Sequence, residues 1–282
     1  MRLMMADLEQ QLKKRIDSGD LNLPVLPAVG IRVLELTQDD DSDANGLAML
    51  IQNDQSLTSY VMKVANSAAF SRYGKIQTLQ QAITKLGLKN ISQMALTMTV
   101  GQCVFKSDPM TREITTYIWQ HSLLCALWSK EIARLCHVNA EMVFLAALLH
   151  QIGKPVALHT ITELLDEEAL PERDSLLMLI EKYQKTIGVN LANCWDLPES
   201  VVTTIQHIDE YHFSHRKSLD VAVVNAARLL ADISLAIGEP VKFVEAIAGQ
   251  GVFNELVLSE AEIQQLDNKR ESVGQMMQAL VL

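Results

Sequence analysis

Apolar residues recur at intervals of three and four along nearly the whole chain, and no stretch alternates apolar and polar positions between turn signals. The pattern predicts an all-α fold. An amphipathic helix over Glu9 to Ile16 opens it, and Pro24 and Pro27 then keep Leu21 to Pro27 extended, because proline disfavours helix in the residue before it. A second helix is expected from Pro27 to Thr37. The acidic stretch Asp39 to Asp43 reads as a solvated loop whose Ser42 or Asp43 caps the next helix, on which Leu47, Leu50 and Ile51 share a face. Asp54 is placed to cap a further helix with Leu57, Val61, Val64 and Ala65 in one stripe. Thr78 and Gln81 have the spacing of a capping box, and the helix they open carries Leu79, Ile83 and Leu86 and stops at Gly87.

Beyond a break at Ser107 to Pro109, a long helix from Glu113 to His137 places Tyr117, His121, Leu124, Cys125, Trp128, Ile132 and Leu135 on one inward face. Glu141 to His150 is apolar all round, the mark of a helix buried on every side, and Gly153 is expected to end it. A polar loop with Pro171 follows, then helices near Asp174 to Ile187, Pro198 to Tyr211, Leu219 to Ile237, Pro240 to Gly249 and after Ser259. The proline-containing break divides the chain into an N-terminal helical bundle (1–110) and a C-terminal helical core (111–282), expected to share an apolar interface. No internal repeat is visible.

The 282 residues suffice for a large core, and 49% hydrophobic against 21% charged residues places the chain in the globular class. Its net charge of -10 repels phosphate backbones and argues against a nucleic-acid partner. The apolar windows Met94 to Phe105 and Met142 to Leu149 are shorter than a bilayer requires, so no membrane span is expected. Cys103, Cys125, Cys136 and Cys194 form no Cys-x-x-Cys pair and follow no signal peptide, and they read as reduced core residues of a cytoplasmic protein.

One constellation could carry chemistry: the inward His121, the pair His150-Gln151 at the end of the buried helix, and the region of Ala227. The segment Leu148-Leu149-His150-Gln151-Ile152-Gly153-Lys154 resembles the Leu-Leu-His-Asp-Ile-Gly-Lys signature of the HD metal-dependent phosphohydrolases, with glutamine in place of the metal-binding aspartate. Leu26-Pro27, Ala65-Asn66-Ser67, Thr78 to Ile83, Leu86-Gly87-Leu88, Trp119 to Ser122, Trp195 to Glu199 and Ala226-Ala227-Arg228 all resemble the HDOD domain, an HD-related output domain of bacterial signalling proteins. The resemblance spans roughly residues 20 to 235. It implies a degenerate HD-like core in which His121, His150, Gln151 and Ala227 occupy vestigial metal positions, Ala227 standing where the last aspartate belongs. A glutamine offers a divalent ion only a dipolar oxygen, and an alanine offers nothing. The resemblance also implies a longer helix between Gly188 and Trp195 in many relatives, about two turns of which are missing here.

The function so implied is a non-catalytic regulatory module, a scaffold for signalling proteins such as kinases or cyclic-dinucleotide enzymes, or a sensor of a nucleotide-like ligand. No catalytic residue, cofactor or metal is expected. The alternative is a metal-dependent phosphohydrolase acting on a nucleotide or phosphate ester, its divalent ion completed by Asp209 or Asp232. Plainer readings stand beside these: His121 and His150 as buried histidines satisfied by hydrogen bonds, Trp119, Trp128, Trp195, Met94, Met98 and Met142 as core, and Asn66 as a turn former. His207, His212 and His215 with Asp209 and Glu210 make a weak second cluster, and Lys154 is favoured by the dipole of the helix it is expected to follow.

Overall fold

A computed structural model describes residues 2–38, 44–105, 109–165, 170–209, 219–236, 242–247 and 250–281, and among them no strand occurs. The N-terminal helices are α1 (Arg2–Ser18), α2 (Ala28–Gln38), α3 (Ala44–Asn53), α4 (Gln55–Ala65), α5 (Leu79–Leu86) and α6 (Leu88–Val104), with a 3-10 turn at Ala68–Tyr73. Local chemistry sets their ends. The Asp54 carboxylate accepts from the Leu57 amide at 2.9 Å and opens α4. Thr78 caps α5 through the Gln81 amide at 3.2 Å, while the Gln81 side chain reaches back to the Gln77 amide rather than to Thr78, so the capping box forms one residue out of register. Gly87 closes α5 at φ 82°, a backbone angle that side chains resist. Asn66 acts as the turn former expected: its amide donates to the carbonyls of Met62 and Ile76, and its oxygen accepts from the Ile76 amide at 2.8 Å.

The second set comprises α7 (Arg112–Cys136), α8 (Ala140–Leu149), α9 (Gly153–Leu165), α10 (Arg173–Cys194), α11 (Glu199–His207) and α12 (Leu219–Leu235). Four short helices follow: α13 (Phe243–Ala246), α14 (Gly251–Glu255), α15 (Glu260–Asp267) and α16 (Arg270–Leu280). The axis of the fold is α8, whose residues from Val143 to Leu149 are all buried, with α7, α11 and α12 packed round it. α1 crosses to α9 and α10, and α16 returns to α4, α6 and the 3-10 turn. Tyr60 on α4 donates to the Leu280 carbonyl at 2.7 Å, and the Trp195 indole donates to the Pro24 carbonyl at 2.8 Å. One hydrophobic cluster therefore runs from Leu8 to Leu280.

The structure corrects several expectations. Gly153 does not end a helix but opens α9, a helix absent from the sequence reading, and α10 runs unbroken through Gly188 to Cys194. A Cβ on Gly153 would lie 1.9 Å from the Gln184 carbonyl oxygen and 2.6 Å from the Gly188 nitrogen, so the two glycines let the backbones of α9 and α10 meet. Tyr117 is half exposed and Cys194 is exposed, so neither is core. The four cysteines form no disulfide with one another. The segment Ala140–Leu165, two helices and their corner, is long and apolar enough to cross a membrane, but 83% of its most apolar window is buried inside the fold. The Ser42 or Asp43 cap, the residues before Pro109, His212, His215, Glu210 and the segment from Pro240 lie wholly or partly outside the described residues.

Candidate functional site

The site forms where α7 passes the corner between α8 and α9. His121 and Cys125, one helical turn apart on α7, face His150 at the C-cap of α8 and Gln151 in the two-residue corner. All four side chains are buried. The imidazoles of His121 and His150 stand 5.9 Å apart, centre to centre, tilted by 49°. Ala227 is fully buried on α12, the helix that packs against α7 and α8.

Hydrogen bonds fix the roles of these groups. The Gln151 amide nitrogen lies 2.8 Å from His121 Nδ1, 3.1 Å from Ser122 Oγ and 3.4 Å from the Ile118 carbonyl. An amide N–H donates, so in the neutral imidazole Nδ1 accepts. His121 Nε2 then carries the proton and donates to Asp232 Oδ1 at 3.0 Å. His150 Nδ1 donates to the Ala147 carbonyl at 2.6 Å. Cys125 Sγ stands 3.6 Å from His121 Nδ1.

The two histidines titrate in opposite directions. Burial opposes charge on His121, but Cys125 and then Asp232 outweigh it and raise its pKa to about 9. His150 is pushed well below the usual imidazole value by burial, and further by the positive charges of Arg228 and His121. A cavity of about 230 Å³ adjoins Gln151, lined among others by Tyr117, Ile118, Lys154, Arg173 and Glu181. Lys154 lies in the first turn of α9, where the helix dipole disfavours a cation, and Glu181 pairs with it. That is the reverse of the expected helix-end setting.

Of the alternative's two carboxylates, the fold brings Asp232 to His121 and holds Asp209 away. Asp209 pairs with Arg228 at 2.8 Å and Lys185 at 3.4 Å; burial raises its pKa, but these cations outweigh it and hold the carboxyl below its ordinary value. His207 is exposed. Among the described residues, His121, Cys125 and His150 are the group of possible ligands close enough to share an ion, their donor atoms within 4.8 Å of one another. Cys125 was missed as a possible donor, although its spacing of four from His121 was legible. A hydrolytic divalent centre of the HD kind needs carboxylates, and these residues do not fit it: position 151 offers an uncharged amide already bonded to His121, position 227 offers a methyl, and Asp232 bonds Nε2 of His121.

The HDOD domain family matches residues 23–211, more than half of the chain, and the chain belongs to that family. Its fold is shared with an HDOD domain protein of unknown function from Geobacter sulfurreducens, at 24% identity and a TM-score of 0.72, covering 98% of both chains. A Shewanella amazonensis protein provisionally described as a metal-dependent phosphohydrolase is similar at 23% identity and a TM-score of 0.71, covering 98% of this chain and 99% of that one. A Marinobacter aquaeolei protein provisionally described as a signal transduction protein gives 21% and 0.69, over 98% of this chain and 66% of that one. An uncharacterized protein of Treponema pallidum is 22% identical over 208 residues, 71% of this chain. The chain spans only 39% of that relative's length.

Proposed function

We propose that the protein is a non-catalytic regulatory HDOD module, a scaffold or ligand sensor that works with other signalling proteins, kinases or cyclic-dinucleotide enzymes among them, in the bacterial cytoplasm. The observation that carries this reading is the 2.8 Å contact between the Gln151 amide nitrogen and His121 Nδ1. A hydrolytic centre holds its cation on a carboxylate; here an uncharged carboxamide stands at that position and bonds the His121 ring. The net charge of -10 supports protein or small-molecule partners over nucleic acid or an anionic membrane surface.

The competing reading, a metal-dependent phosphohydrolase of nucleotides or phosphate esters, has one observation in its favour: Asp232 meets His121 at 3.0 Å. Assays of phosphomonoester and phosphodiester hydrolysis with added manganese, iron and zinc decide between them. No turnover above a His121→Ala control is expected. Turnover that the His121→Ala change abolishes would refute the non-catalytic reading.

A further inference from the structure

Away from the histidines, a cavity of about 410 Å³ lies between the 3-10 turn, α6, α7 and α16. Its charge is opposite to that of the chain. Arg72, Lys130, Arg134 and Lys269 line it, with Glu131 as the one carboxylate among the lining residues. Glu131 is shared, pairing with Arg134 and, at 3.8 Å, with Lys269. Lys130 is half-buried, and its ammonium donates to two neutral oxygens, Asn90 Oδ1 at 3.2 Å and Gln93 Oε1 at 2.6 Å. Burial pulls its pKa down, with Glu141 and Glu131 opposing and Arg134 assisting. Arg72 lies over the Tyr73 ring at 4.7 Å and bonds its hydroxyl. Both cations thus donate hydrogen bonds to neutral groups, Lys130 half-buried in the wall with Glu141 and Glu131 acting on it through space, and Arg72 exposed at the rim. Phe70, Met94, Leu127, Phe144 and Met276 supply the apolar part of the wall, and Asn90, Gln93, Ser272 and Gln275 add neutral polar groups.

We propose that this cavity binds a phosphate-bearing small molecule of about nucleotide size, with its phosphates on Arg72, Lys130 and Lys269 and its apolar part against Phe70 and Phe144. The volume lies in the range of small-molecule sites, which run from about 300 to 1,000 Å³. Because α16 forms one wall and α6 and α7 the others, the ligand would fasten the C-terminal helix to the rest of the fold. The proposal rests on the ligand-sensor side of the proposed function. Its failure would leave the scaffold reading standing, whereas metal-supported hydrolysis would refute the non-catalytic reading without touching this cavity.

The test is calorimetric titration of the full chain with ATP, GTP and inorganic pyrophosphate, with adenosine as the uncharged control. At least one phosphate compound is expected to bind, and adenosine far more weakly. Lys130→Met keeps the side-chain stem and removes the charge; it is expected to weaken binding at least about tenfold and to leave the unliganded melting temperature unchanged or raised. Arg72→Gln, at an exposed side chain, is expected to weaken binding with no change in melting. A wild-type chain that binds none of the three phosphates, or variants that bind them as well as wild type, would overturn the proposal. So would a Lys130→Met chain that melts earlier while Arg72→Gln binds normally, since Lys130 would then be a structural tie.

Discussion

A glutamine brings N–H donors to a place where an aspartate brings only acceptors, and at position 151 those donors meet His121 Nδ1 and Ser122 Oγ. Gln151→Ala would strip the buried Ser122 Oγ of its Gln151 partner and leave His121 Nδ1 only the weak Cys125 thiol, so a loss of about 1 to 3 kcal/mol is expected in urea unfolding. Restoring aspartate at both Gln151 and Ala227 is expected to raise affinity for manganese where neither single change does; equal affinities in a titration of all three variants would show that Ala227 does not hold the inherited position. The histidines make stability depend on pH in two windows. For His150 the folded pKa lies well below 6.5, so the unfolded chain takes up the proton first, and stability falls as pH drops below about 6.5. For His121 the folded pKa is raised to about 9, so its contribution is complete below about 6.5 and lost as pH rises toward 9. Urea midpoints measured across this range should show both limbs, with His150→Gln flattening the acid one and Asp232→Asn the basic one. Below about pH 9 His121 carries a proton on each ring nitrogen, and Gln151 then presents its carboxamide oxygen to Nδ1.

The elements show why some of this was legible in sequence and some was not. Asp54, Asn66 and Gly87 act on backbone within about ten residues, so their roles follow from local chemistry. The inward face of α7 near His121 was readable from period alone, yet the same period placed Tyr117 inside, where it is half exposed at the end of the stripe. The α8–α9 corner is hard to read because a glycine just past an apolar helix, as Gly153 is, ordinarily marks its end. Pro155 two residues later held the contrary signal, since a proline in the first turn gives up an N–H that has no helical partner. The purpose of Gly153 depends on the crossing of α9 and α10, which no local pattern encodes. Gly153→Ala would drive a methyl into the Gln184 carbonyl, and a loss of about 3 kcal/mol, or failure to fold, is expected from thermal unfolding. The partner of Gln151 depends likewise on how α7 passes the corner.

On the scale of the molecule, the sequence pointed correctly to an all-helical fold and to the HDOD family, because the family's motifs are spread along the chain in order. The traffic between its two ends was hidden, because α1 crosses to α9 and α10 and α16 returns to α4 and α6 through contacts more than a hundred residues apart. Tyr60→Phe removes the bond from α4 to the last turn of α16, and a loss of about 1 kcal/mol in a single unfolding transition is expected. Two separated transitions would mean that the ends are not coupled as the packing indicates. The proposed function requires that His121, His150 and Gln151 form no hydrolytic metal centre. It is tested most directly by the metal content of the purified chain, by elemental mass spectrometry, before and after incubation with manganese, iron and zinc and removal of free ions. Far less than one manganese or iron ion per chain is expected. Stoichiometric manganese or iron that is lost on His121→Ala would contradict it.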